Sequence, residues 1–262
     1  MITAQERMSV NAFINRTQKE FLSFMEIDCL PEMTRAPFEI DAVQLLTQGL
    51  ASWAQVFYDP VADKYTLKVL KNLYVPVMHA DYLMFHEYTH AYDIERLAKK
   101  DKMKYASIKG YMEYHASQVE LLKQVGANKY SSPISFSMTD VVKSPGEDRT
   151  VYETLLARKK DATDAIMRAG FPGNIEILAM TVGIIFNHLG RVSVCKRYAK
   201  DYDVYKTELE DYNVEEQFFG ADAWKLITGL YHDEMAPDII NIAMMCHLGI
   251  LKSVTQKYGL NI

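Results

Sequence analysis

The chain is poor in cysteine. Three occur in 262 residues, Cys29, Cys195 and Cys246, and none forms a CxxC pair. That number and spacing exclude a disulfide-stapled scaffold and a cysteine-based zinc cluster. Buried free thiols in a reducing compartment are the expected state of all three. An excess of basic charge is also lacking, because 29 Lys and Arg stand against 34 Asp and Glu, for a net charge of −5. No general nucleic-acid footprint is expected from that balance. There is no GxGxxG loop, internal repeat or low-complexity tract, which removes the glycine-cradled nucleotide sites. The N-terminus, Met1-Ile2-Thr3-Ala4-Gln5-Glu6-Arg7, lacks a basic segment followed by an apolar one, so no cleaved signal is expected. The most apolar run, Ile175 to Phe186, falls short of the roughly 20 residues that a membrane span needs. These absences together predict a cytoplasmic protein with neither a membrane nor a nucleic acid as partner.

What is present is a 49% hydrophobic fraction, enough for a sizeable core in one domain or in two lobes sharing a cleft. Apolar spacing predicts helices over residues 4–25, 38–50, 77–100, 105–126, 147–169, 174–200, 221–231 and 237–258. The helix over 174–200 is apolar nearly all round at its start, so it is expected in the core. Residues 202–219 are acidic and less regular. Cys29 to Pro37 reads as a turn-rich connection. Trp53 to Tyr58 and Tyr65 to Val69 read as an antiparallel strand pair joined by Asp59-Pro60-Val61-Ala62-Asp63. The irregular stretch 128–146 suggests a division into an N-terminal lobe, 1–128, and a helical C-terminal lobe, 129–262, in one chain that is continuous or nearly so. The expected class is α+β, predominantly helical, with a small antiparallel sheet ahead of the helix over 77–100.

That helix carries the chemistry. Phe85-His86-Glu87-Tyr88-Thr89-His90-Ala91 contains His-Glu-x-x-His, a zinc-ligating spacing of metallopeptidases. Four residues apart on a helix, His86 and His90 differ by about 40° and about 6 Å, so both imidazoles reach one ion. Glu87 lies about 100° from His86. There it can take a proton from activated water and give it to a leaving amine.

A catalytic zinc has three protein ligands and an open position. HExxHxxGxxH peptidases place a Gly three residues and a ligand His six residues after the second His, but the corresponding positions here are Asp93 and Arg96, so a third ligand from that pattern is not expected. The next helix offers Tyr111-Met112-Glu113-Tyr114-His115-Ala116-Ser117-Gln118-Val119-Glu120. Glu113 and Glu120 lie within about 20° of one another, two turns apart, with Ala116 and Ser117 between them. Glu113 is the expected third ligand, with Glu120 and His115 as alternatives and Glu120 also suited to support from behind a ligand. Asp93, three residues past His90, is a candidate hydrogen-bond partner for a ligand histidine. An oxyanion donor from the C-terminal half would be His188, Tyr231 or His232.

On the hairpin, His86-Glu87-Tyr88-Thr89-His90 and Glu113-Tyr114-His115-Ala116, the chain resembles the Glu-ligated zinc peptidases, the gluzincins. Within that group it is most similar to the ImmA/IrrE-type metallopeptidase family. The resemblance covers about residues 51–122. Family members often carry Leu-Gly within the motif, where this chain has Tyr88-Thr89. The resemblance implies a zinc-peptidase core with one Zn²⁺ per chain and a protein or peptide substrate. The expected function is therefore peptide-bond hydrolysis with Glu87 as general base. The rival reading is a zinc-containing protein that cleaves nothing and sequesters a protein partner.

Overall fold

Thr3 opens the first helix. Its hydroxyl accepts the Glu6 N–H, and the Glu6 carboxylate accepts the Thr3 N–H in return, a reciprocal cap for two backbone donors. A computed structural model describes residues 2–39, 53–143, 148–232 and 235–260. Helix α1, Ala4–Met25, buries Val10, Phe13, Ile14, Phe21 and Phe24 along one face. Phe21 and Phe24 meet the edge of Phe85 at 5.4 and 5.3 Å. The Tyr88 hydroxyl donates to the Ile14 carbonyl at 3.0 Å and lies 3.0 Å from the Thr17 hydroxyl. Both Phe85 and Tyr88 belong to the motif stretch, so α1 fixes the rotation of the motif helix.

The sheet has three strands in the order β1-β3-β2, with β1 at Met33–Phe38, β2 at Ala54–Asp59 and β3 at Lys64–Leu70. The predicted pair β2–β3 is antiparallel, with Val56 opposite Leu67. Strand β1 replaces the predicted turn over 29–37 and runs parallel to β3, with Arg35 opposite Leu67, so the sheet is mixed. Pro37, in this strand, has no N–H to give to a ladder. It is tolerated because β1 is an edge, where alternate N–H groups point away from the sheet and need no partner. Phe38, expected to begin a helix, closes β1 instead, and the rest of that expected helix, 40–50, lies outside the described residues.

The motif helix, α2, spans Asp81–Leu97 after a short 3₁₀ turn at Pro76–Met78. The predicted 105–126 helix is two helices, α3 at Lys102–Ser107 and α4 at Lys109–Gln124, with Ile108 as their shared joint. Asp101 caps α3 through the N–H groups of Met103 and Lys104. A two-residue strand pair, β4 at Val141–Val142 and β5 at Arg149–Thr150, precedes α5, Val151–Ile166. Helix α6, Ile175–Tyr198, follows. The irregular 202–219 region is two short helices, α7 at Tyr202–Leu209 and α8 at Asn213–Phe219. Helices α9, Ala221–Leu230, and α10, Pro237–Lys257, come last.

Helix α4 lies between α2 and α6, and its pairing with α6 is the most extensive between elements. The start of α6 is not buried as its composition predicted: Ile175, Ile177 and Met180 are exposed, and the buried stretch is concentrated from Thr181 to Cys195. By length and composition both α6 and α10 could cross a membrane. The run expected to be too short thus belongs to a longer helix, of which 67% of the most apolar window is buried, against 39% in α10. Two apolar clusters form the core, one around Phe21, Leu67, Phe85 and Val194, the other around Tyr65, Tyr114, Phe186 and Val254. Each draws residues from both sides of the 128/129 division. Of the cysteines, Cys195 is buried as expected, Cys246 is partly buried and Cys29 is exposed, and all three are free.

Candidate metal centre

The apolar side of α2 sets the direction of its polar side. Met84, Phe85, Tyr88 and Ala91 are fully buried. With that stripe anchored to the core, His86 and His90 project toward α4. Their rings stand 4.6 Å apart and nearly perpendicular. The Glu113 side chain from α4 enters between them. Its Oε2 is 3.5 Å from His86 Nε2, and its Oε1 is 3.7 Å from His90 Nε2. Two ligand atoms each about 2.0–2.1 Å from one ion at a tetrahedral angle lie about 3.3 Å apart. Those separations therefore suit a shared divalent ion, and two imidazoles with a carboxylate form a zinc-type donor set.

The other side of His86 is also committed. Its Nδ1 lies 3.0 Å from Glu120 Oε2. A carboxylate only accepts, so Nδ1 carries the proton there and Nε2 faces Glu113. Glu120 is thus behind the histidine and not beside the third-ligand position. His90 Nδ1 is buried with no partner among the described residues.

Ligand-type atoms of His86, Glu87 and His90 all lie within 4.8 Å of one another. Glu87 is nonetheless placed differently from Glu113. Its Oε2 accepts the backbone N–H of Val56 on β2 at 2.5 Å, whereas the two Glu113 oxygens each face a different imidazole. Of the two carboxylates, Glu113 is the one whose oxygens face both imidazoles. Its side chain stays 30% exposed.

The electrostatics separate the two carboxyls. Burial pushes the Glu87 carboxyl up to about 8, against the opposing pull of His86 and the Val56 N–H. Burial also resists ionisation of Glu113, but His90 and His86 outweigh it and hold Glu113 at about 2. For His90, burial dominates and lowers the imidazole to about 3, so the ring is neutral throughout the ordinary pH range. For His86, burial works against the imidazolium, but Glu113 and Glu120 outweigh it and raise it to about 10.

Other residues singled out from sequence go elsewhere. Asp93 does not reach a ligand histidine. Both of its oxygens, at 3.0 and 2.9 Å, face Nδ1 of His115. His115, the alternative ligand, is thereby buried with Asp93 and stacked on Tyr111. Ser117, which lies between Glu113 and Glu120 along α4, turns to α6, where its hydroxyl lies 3.0 Å from Asn187 Oδ1. His188 Nε2 bonds the Leu209 carbonyl at 3.2 Å, and Tyr231 packs edge-on to Tyr114 and Phe186. His232 lines a small cavity with Lys196, Glu210 and Tyr212. None of these contacts is with His86, His90 or Glu113, so the three expected oxyanion donors are not brought to the site by them.

Arg191 was missed. It lies on α6 with its side chain 2% exposed, and its Nη2 is 2.6 Å from Glu120 Oε1. The contact meets an ion-pair distance without the alignment of a hydrogen bond. The sequence signal was a lone cation in Gly190-Arg191-Val192, inside an apolar helix. A cation buried there requires an anionic partner. Burial opposes the charge on Glu120, but Arg191 and His86 outweigh it and hold that carboxyl at about 2. No protein-family model, curated protein or solved structure matches this chain.

Proposed function

We propose that the protein is a zinc-dependent peptidase that hydrolyses a peptide bond in a protein or peptide substrate. The observation that carries this reading is the Glu113 carboxylate facing two imidazole Nε2 atoms at 3.5 and 3.7 Å, with one imidazole oriented from behind by Glu120. His86, His90 and Glu113 would hold one zinc ion per chain, in the manner of the gluzincins. When bound, zinc at such a set supplies Lewis acidity for the attack of water on a carbonyl. Glu87 takes the proton from that water and delivers it to the leaving amine. Strand β2, at the sheet edge and touching Glu87 through Val56, offers backbone groups along which an extended substrate can align.

A second reading, a zinc-containing protein that sequesters a partner, is favoured by one feature. Glu87 is engaged by the Val56 N–H, so it must release that bond before acting as a base.

The test is metal content beside cleavage. Mass spectrometry of the purified chain should find about one zinc, absent from the His86→Ala, His90→Ala double variant. A peptide library or lysate should be cut, with cutting stopped by a chelator and restored by zinc. Full zinc content in the double variant overturns the site. Zinc without chelator-sensitive cleavage in any tested mixture favours the sequestering reading.

A further inference from the structure

We propose that the buried Glu120–Arg191 ion pair is a positioning device for the metal centre, with Arg191 fixing the Glu120 carboxylate so that His86 presents Nε2 to the ion. The inference rests on the metal-site reading above. It concerns residues 71 positions apart, on α4 and α6, which neither the motif nor its spacing addresses.

The assignment follows from where each atom goes. Glu120 has two carboxylate oxygens, and each has a separate neighbour. Oε2 is 3.0 Å from His86 Nδ1 and Oε1 is 2.6 Å from Arg191 Nη2. A carboxylate free to rotate would give His86 no fixed acceptor. Arg191 removes that freedom, and it is itself held: Nη1 donates to Gln124 Oε1 at 3.2 Å. Both charged side chains are nearly solvent-free, at 2% and 4% exposure, so water cannot substitute for either partner. An imidazole whose Nδ1–H is committed in this way has only Nε2 to offer, and outer partners of this kind raise ligand affinity 10- to 100-fold.

The pair also settles the charge around the ion. A divalent ion with two neutral imidazoles and one carboxylate carries about +1. An uncompensated second carboxylate behind His86 would reduce that charge and the Lewis acidity that depends on it. Arg191 cancels the Glu120 charge where it arises. The carboxylate behind His86 is then balanced by its own cation instead of counting against the ion.

The experiment uses the full chain and zinc alone. Arg191→Met removes the cation. Because it strands a buried carboxylate, it risks misfolding. The deciding variant is therefore the double change Glu120→Leu, Arg191→Met, which replaces the pair with apolar groups of similar volume, a class of change that usually preserves folding. Arg191→Lys is the conservative partner. Zinc affinity is measured by competition with a chromophoric chelator, and the His86 Nδ1–H proton is followed by ¹⁵N-histidine NMR of the zinc-loaded chain. The double variant should keep the wild-type circular dichroism and thermal transition. It should bind zinc about 10- to 100-fold more weakly and lose the protected Nδ1–H signal, whereas Arg191→Lys should recover most of the affinity. Wild-type affinity with an unchanged Nδ1–H signal in the double variant overturns the positioning role alone. A wild-type chain that binds no zinc overturns the metal reading and the positioning role together.

Discussion

Glu87→Gln is expected to keep about one zinc per chain and to lower peptide turnover by about 10² or more. Glu87 sits one residue after His86 on α2 but gives no oxygen the position that Glu113 occupies. Its carboxylate turns toward β2, where Oε2 accepts the Val56 N–H. Gln is nearly isosteric and can still accept that bond, so the local structure survives. What it cannot do is take and return a proton. Glu113→Gln has the opposite signature. It removes the carboxylate charge between the two imidazoles, so zinc content should fall first and turnover should fall with it. The two variants are measured side by side, by mass spectrometry for zinc and by peptide cleavage for turnover. Loss of zinc in Glu87→Gln with retention in Glu113→Gln would exchange the roles assigned to the two carboxylates.

The second large effect is on stability. Gly190→Ala should destabilise the fold by about 3 kcal/mol or more, at or above the upper end of ordinary overpacking. A Cβ at position 190 would lie 2.1 Å from the Tyr114 carbonyl oxygen and 2.9 Å from Ser117 Oγ. The first is helix backbone, so α6 must move off α4. This loss works against an intrinsic gain, because Ala is favoured over Gly inside a helix by about 1 kcal/mol. Gly183→Ala, two turns earlier on the same helix, is the control. Its Cβ would meet Glu113 side-chain atoms at 3.7–3.8 Å, an ordinary contact, so the change should be neutral or stabilising by up to about 1 kcal/mol. Urea unfolding of both variants measures the difference. Equal stability for the two would mean that α4 and α6 are not in the close contact described.

What was legible in the sequence was mainly local. The i,i+4 histidines, the strand pair and most helices follow from spacing within one element, and the facing of Glu113 toward the two imidazoles is consistent with its position on one helix wheel. What the sequence concealed depends on contacts between elements. Strand β1 is stabilised by a partner about thirty residues later in the chain, so its own residues, Pro37 among them, read as a turn. The Asp93–His115 pair joins two helices. Each residue alone looked available to the metal, and each is consumed by the other. Ile108 divides a helical pattern whose apolar period runs through the joint. Arg191 could have been flagged as a buried cation, but its partner was one of several glutamates that the sequence does not rank.

The motif is not a transferable module. Residues 53–122 hold His86, Glu87, His90 and Glu113, yet much of the surface that fixes them is supplied from outside that stretch. Thr17, Phe21 and Phe24 brace Phe85 and Tyr88 from before it, and Gly183, Gly190 and Arg191 brace α4 from well after it. Excising the stretch, or grafting it into another chain, would expose both apolar backs of the α2–α4 layer and strand Glu120 without its cation. Any engineering of this His and Glu cluster therefore has to carry the distant helices along with it.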